Sequence, residues 1–364
     1  MLGLGRALSL ACAVGCSSSD GADGESDDVP SDDGSGGADA GAVGPAGETD
    51  GDASAPQGPA GDDGAAADDG TSGTGPRPTI ADGPDRELTP IEAPEATGCI
   101  DDVSAGDHAY SCNGLTFLTM VDPQCLEGAC GMIVDVHGGT MAGAQMRDNT
   151  ELHVLAPPQG YIVVHPSATS SNTGGFWTAE RYPDVLDFMQ QVIEVFQVDD
   201  RRIHFTGFSQ GGAMSWWFLC NHSDLLASAA PTAAAGSCIQ EGWEPTVSIM
   251  YMNGETDAAS SFSTAQATME RLRGQLEMGD GNELAGDDGY THTRFSNDSG
   301  IDLEFVEHNY GGQVVLAGHC IPGGIDIAGA ANNFTLNATT CTTGDINFHW
   351  GEMVLQFFVA HPKP

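Results

Sequence analysis

The stretch RRIHFTGFSQGGAMSWWFLC, residues 201–220, constrains the fold of this chain more than any other. Residues 203–206 are β-branched or aromatic and predict a buried strand, and residues 213–220 predict a buried helix. Between them stands the turn Gly207-Phe208-Ser209-Gln210-Gly211. A strand that reverses into a helix over so few residues leaves no room for side chains beside the serine. Glycines at both outer positions supply that room, and the hydroxyl of Ser209 is then held out at the end of the strand. With 50 glycines in the chain, a G-x-S-x-G pattern also arises as a plain turn. The strand before it and the helix after it are what favour a nucleophile.

The flanking sequence supplies candidate partners for that serine. Residues 115–121 predict a strand, and residues 132–136 predict a buried strand that runs into His137-Gly138-Gly139-Thr140. A loop of small residues at a strand end can turn backbone N–H groups into a cavity, as an oxyanion hole requires. The amide of Gly139 or Thr140, paired with that of Gln210, is the expected donor set. His137 reads as a brace for this loop or a substrate contact. Residues 161–165 predict another strand, followed by a polar loop in which Trp177 either lines a substrate groove or packs over the core. Apolar residues at 185, 188, 189, 192, 193 and 196 predict a helix over 184–196.

Downstream, residues 246–252 predict a strand leading into NGETDAASSFS. An acid past a strand end, after the nucleophile in sequence, fits the order Ser, then Asp, then His. Asp257 fits better than Glu255, because a turn at Asn253-Gly254 presents the later residue. The alternative is a loop acid that caps the following helix. The segments 303–306 and 314–316 are strand-like, and His319 follows in LAGHCIPGG, where a general base belongs; His349, at the start of the C-terminal helix, is its rival.

These pieces, DVHGGT, VDDRRIHFTGFSQGGAM, NGETD and GHCIPGG, stand in an order that resembles the secreted esterases grouped as the polyhydroxybutyrate depolymerase and feruloyl esterase family. The resemblance covers most of residues 112–361. It implies an α/β-hydrolase fold with a mostly parallel central sheet and helices on both faces, a Ser209–His319–Asp257 triad and hydrolysis of carboxylic esters. The substrates implied are polyhydroxyalkanoate-type polyesters, feruloyl or acetyl esters of plant polysaccharide, or small esters. No metal or organic cofactor is called for. Some related esterases join the Ser and His loops by a disulfide between the neighbouring cysteines. Here Cys320 adjoins His319 but Phe208 precedes Ser209, so that bridge cannot form. Two other readings share the scaffold. One is a catalytically inactive surface binding module, and the other is a peptidase using the same triad.

Outside the domain, composition sets the expectations. Residues 2–15 form a short apolar run ending in AVGC before SSSD, which predicts a secretory signal over residues 1–16. It resembles a bacterial lipoprotein signal with Cys16 as the lipidated residue, Cys12 being a poorer match and ordinary signal cleavage the plain alternative. Such an anchor would be the chain's one membrane contact and would place it at a bacterial outer membrane. Residues 17–90 are almost entirely Gly, Ala, Ser, Asp, Pro and Glu. They offer too little apolar surface to offset backbone entropy, which predicts a disordered tether reaching roughly 50 Å before the domain at 91–364. The net charge is −41 and the only lysine is Lys363, which excludes the clustered cations that nucleic-acid binding needs. Eight cysteines between Cys99 and Cys341 predict disulfides in a secreted chain, with nearest-neighbour pairs Cys99–Cys112, Cys125–Cys130, Cys220–Cys238 and Cys320–Cys341. The acidic, Gly-rich insertion at 279–300 lacks the ligand pattern of an EF-hand loop.

Overall fold

The computed structural model describes residues 87–170, 174–236, 239, 243, 246–312, 316–323, 339–344 and 346–363. The signal segment with Cys16, all but the last residues of the expected tether, and the strand-like positions 314 and 315 lie outside the described residues.

Ten strands form one sheet in the order β1-β2-β4-β3-β5-β6-β7-β10-β9-β8. In chain order these are β1 (Gly106–Cys112), β2 (Leu115–Val121), β3 (Gly131–Val136), β4 (Tyr161–Ser167), β5 (Ile203–Phe208), β6 (Ser228–Thr232), β7 (Ser248–Gly254), β8 (Asn282–Gly286), β9 (Tyr290–Ser296) and β10 (Asp302–His308). The run β4-β3-β5-β6-β7-β10 is parallel, and antiparallel pairs close it at both edges. Helices α1 (Gly143–Thr150), α2 (Leu152–Leu155), α3 (Tyr182–Phe196), α4 (Gln210–His222), α5 (Phe262–Gln275) and α6 (Trp350–Ala360) cover it. This is the α/β-hydrolase fold that the resemblance implies.

The two-residue period of the strands sorts their side chains between two cores. From β3, Met132, Val134 and Val136 join Phe188 of α3, Trp216 and Phe218 of α4 and Leu272 of α5. Ile133, from the same strand, joins Met146 of α1 and Val354, Leu355 and Phe358 of α6 on the opposite face. Both faces of the parallel run are therefore covered, which is why β3 and β4 are buried at every position.

The predicted strand at 115–121 matches β2, and the predicted helix at 184–196 extends two residues further back, where Pro183 occupies its first turn. The domain also begins earlier than expected. The Ala129 N–H donates to the Thr89 carbonyl at 2.7 Å, and Pro90 bridges Gly128, so residues assigned to the tether are already held. Leu88, packed against the core, is the apolar anchor responsible. Disulfides join Cys99 to Cys112, Cys125 to Cys130 and Cys320 to Cys341, as spacing predicts. Cys220 is disulfide-bonded, and its expected partner Cys238 lies outside the described residues.

Candidate active site

Ser209 stands between β5 and α4 with φ 55° and ψ −111°, a strained conformation for a residue with a side chain. Its N–H donates to the Thr232 carbonyl of β6 at 2.9 Å, and its carbonyl receives the Ala213 N–H of α4 at 2.9 Å. The outer glycines are required by close approach. A Cβ on Gly207 would lie 2.6 Å from the Gly211 carbonyl carbon, and one on Gly211 would fall on the Val136 carbonyl oxygen. The sequence G-x-S-x-G thus locks β3, β5 and α4 together and leaves the serine at the first, uncapped turn of α4. Among the described residues no side chain caps that turn, so its first N–H groups are left without a side-chain partner.

His319 and Asp257 meet although 62 residues separate them. The Nδ1 of His319 lies 2.8 Å from Oδ2 of Asp257, with both side chains almost wholly buried. The other carboxylate oxygen accepts the N–H groups of Ala259 at 2.8 Å and Ser260 at 2.6 Å. Asp257 therefore fastens its own turn, as the capping alternative requires, and still presents one oxygen to the histidine. The loops that carry the pair are joined by backbone as well: Asp257 bridges Ala317, and the Gly318 N–H donates to the Thr256 carbonyl at 3.2 Å. Glu255 is exposed and takes no part.

The Phe208 ring, next to the serine in sequence, packs with its centroid 4.7 Å from that of His319. An apolar contact thus stands where related esterases place a covalent link between the two loops, and Cys320 bonds Cys341 instead. The rival His349 has a structural task. Its Nδ1 accepts the Glu352 N–H at 3.3 Å as the N-cap of α6, and its Nε2 pairs with Glu151 at 3.1 Å.

The loop after β3 runs directly over the serine. A Cβ on Gly138 would lie 3.2 Å from that of Ser209, and one on Gly139 would lie 3.1 Å from the Gln210 side chain. The two expected oxyanion donors on this loop are not equivalent. The Thr140 N–H already donates to the Gly175 carbonyl at 2.7 Å, whereas the Gly139 N–H has no acceptor among the described residues. Of the two, only Gly139 keeps its N–H unspent among the described residues, and the expectation for Thr140 is corrected.

His137 and Trp177 are also corrected as substrate contacts, since both are buried behind the loop. The Ala168 N–H donates to Nε2 of His137 at 3.1 Å, so the proton sits on Nδ1, which donates to the Gly138 carbonyl at 2.6 Å. Burial pushes this imidazole down to about 4 despite that bond, so it stays neutral and braces the loop. Trp177 donates through Nε1 to the His137 carbonyl at 3.1 Å and through its backbone N–H to Oε1 of Gln210 at 2.9 Å. The aromatic that does reach solvent here is its neighbour Phe176, 64% exposed. A single polar loop gives no periodic signal to distinguish the two rings in the sequence.

Among the described residues, two groups elsewhere have the spacing of metal ligands. In one, Cys320 and Cys341 are spent on a disulfide beside His308. In the other, Asp302 and Glu304 already share Arg294, and His361 pairs with Asp302 at 2.9 Å. A cavity of about 390 Å³ between α6 and the β8–β9 hairpin includes none of Ser209, His319 and Asp257 in its lining. That hairpin is what the acidic insertion forms, its turn closed by Asp287 accepting the Gly289 N–H at 2.6 Å. No helix among the described residues is long and apolar enough to cross a membrane.

No family model matches the chain. It is 21% identical over 146 residues to a bifunctional acetylxylan esterase/xylanase of Neocallimastix patriciarum, a match covering 40% of this chain and 22% of that protein. It is 26% identical over 112 residues to feruloyl esterase B of Piromyces equi, covering 29% of this chain and 21% of that one. The chain thus spans about a fifth of the length of the curated relatives it matches. Among solved structures, an acetyl xylan esterase from Aspergillus awamori aligns with 53% of this chain and 87% of its own at 16% identity and a TM-score of 0.43. The feruloyl-esterase side of the family resemblance is borne out by the two curated relatives, which do not address its polyhydroxybutyrate-depolymerase side.

Proposed function

We propose that the chain is a serine hydrolase of carboxylic esters, with Ser209 as nucleophile, His319 as base and Asp257 as the acid that orients it. The observation that carries this reading is the buried 2.8 Å contact between His319 Nδ1 and Asp257 Oδ2. A carboxylate on Nδ1 fixes the proton there and leaves Nε2 unprotonated, the tautomer a general base needs. In the reaction, Nε2 takes the proton of the Ser209 hydroxyl as Oγ attacks the ester carbonyl. The N–H groups of Gln210 and Gly139 receive the oxyanion. The tetrahedral intermediate collapses as the imidazolium returns its proton to the leaving alcohol, and water releases the acyl group by the same steps in reverse.

The relatives' names support acetyl or feruloyl esters of plant polysaccharide as the substrate class. The polyester alternative rests on the motif resemblance alone. Hydrolysis of acetylated xylan, methyl ferulate and hydroxybutyrate oligomers by the full chain, each against a Ser209→Ala blank, decides between them. Serine-dependent turnover of either of the first two supports the polysaccharide reading, and turnover of the oligomers alone overturns it. The three disulfides whose partners both lie among the described residues support an oxidising, extracellular setting. A lipid on Cys16, and with it an outer-membrane location, rests on sequence and is tested by palmitate labelling with Cys16→Ser as control.

A further inference from the structure

Phe176 is the most exposed large apolar side chain among the described residues, and the only aromatic one exposed to this degree. A lone exposed apolar residue is ordinary on a protein surface, although leaving a phenylalanine in water forgoes its burial. What distinguishes this one is how its backbone is held and where. On one side, Gly175 is tied twice to the oxyanion loop: its carbonyl receives the Thr140 N–H at 2.7 Å, and its N–H donates to the Met141 carbonyl at 3.0 Å. On the other side, both donors of Trp177 are spent, one on Gln210 beside the nucleophile and one on the His137 carbonyl. The chain on either side of Phe176 is therefore fixed while its ring faces water.

The ring is also close to the chemistry. A Cβ placed on Gly139 would lie 3.3 Å from Cδ1 of Phe176 and 3.1 Å from Oε1 of Gln210. The ring thus borders Gly139, whose amide is assigned to the oxyanion, and follows directly on Gly175 and precedes Trp177, whose N–H is held by Gln210. We infer that Phe176 is a specificity-determining platform that takes a flat ring face carried by the ester substrate. This rests on the hydrolase reading above. A rigidly presented aromatic face beside the scissile carbonyl gains contact with a planar or C–H-rich ring and gains little from a short acyl chain or a small alcohol. Two substrate sources offer that shared chemistry: the aryl ring of a hydroxycinnamoyl acyl group, and the pyranose ring of an esterified sugar.

The test uses the full chain and three esters: methyl ferulate with its ring on the acyl side, acetylated methyl β-xyloside with its ring on the alcohol side, and triacetin with none. Phe176→Ala should lower the ratio of kcat/KM for a ring-bearing ester to that for triacetin about tenfold, through KM more than kcat, and Phe176→Tyr should restore it. The ester that responds identifies the source of the ring. A ratio unchanged for both ring-bearing esters overturns the platform. Binding of ferulate and methyl β-xyloside to Ser209→Ala, measured by calorimetry with and without Phe176→Ala, separates the two ideas. Phe176-dependent binding without Ser209-dependent turnover would retain the platform and reject the hydrolase. Turnover with binding indifferent to Phe176 would do the reverse.

Discussion

Asp257 divides its carboxylate between two tasks, giving one oxygen to the N–H groups of its own turn and the other to His319 Nδ1 at 2.8 Å. Asp257→Asn keeps the shape of the turn but presents an amide that can hold the imidazole in the wrong tautomer. A loss of about 10³–10⁴-fold in kcat is expected, with KM little changed. Glu255→Gln, on the exposed neighbour, should leave kcat within about twofold. Equal losses in the two variants would remove Asp257 from its assigned role.

Two glycines around the serine should fail in different ways. A methyl group on Gly211 meets the Val136 backbone, which cannot move without disturbing β3. Gly211→Ala is expected to cost about 3 kcal/mol of stability or more. On Gly138 the same group meets side-chain atoms, Phe208 at 3.0 Å and the Ser209 Cβ at 3.2 Å. Gly138→Ala should keep most of its thermal stability yet lose roughly 10²-fold in rate, because the nucleophile is displaced. Thermal melts beside ester kinetics distinguish the two, and identical behaviour would contradict this placement of the loop.

The bond from Cys320 to Cys341 anchors the residue next to His319 and encloses a separation of 21 residues. Closing a loop of that length is worth about 3 kcal/mol in the chain-entropy account. Paired Cys320→Ser and Cys341→Ser substitutions should lower the melting temperature and reduce kcat by more than paired substitutions at Cys125 and Cys130. The comparison fails if the two pairs affect kcat equally.

Stability should fall in mild acid. Burial pushes His137 and His308 down to about 4, against roughly 6.5 in the unfolded chain. Between those values the unfolded state binds protons that the folded state refuses. The contribution is therefore fully present above pH 6.5 and lost as pH falls, by roughly 2 kcal/mol per histidine at pH 5. Melting temperatures from pH 7.5 to 5 should decline, and His137→Gln should reduce the slope. A flat profile would mean that these imidazoles are hydrated.

Much of this was legible in the chain because the signals were local and periodic. The elbow at Ser209, strand β2 and helix α3 each combine a hydrophobic period with Gly or Pro punctuation. Strand β6 was not foreseen, since Ser228-Ala-Ala-Pro-Thr232 is built of small residues around a proline that strand rules disfavour. Its place between β5 and β7 is imposed by close packing, not by propensity. The β8–β9 hairpin was hidden for another reason: its outer strand, Asn282-Glu-Leu-Ala-Gly286, is mostly exposed and shows no apolar alternation. The roles of Thr140, Trp177 and Phe176 depend on which backbone groups pair across loops, and no single stretch of sequence carries that information.

The central claim is that Ser209 is activated by His319 held on Asp257. The most direct measurement is stoichiometric labelling of the full chain by a fluorophosphonate, with peptide mapping of the adduct. One label per chain on Ser209, abolished in Ser209→Ala and strongly slowed in His319→Gln, is the predicted result. Folded protein that takes up no label, or takes it up equally well without His319, would contradict the account.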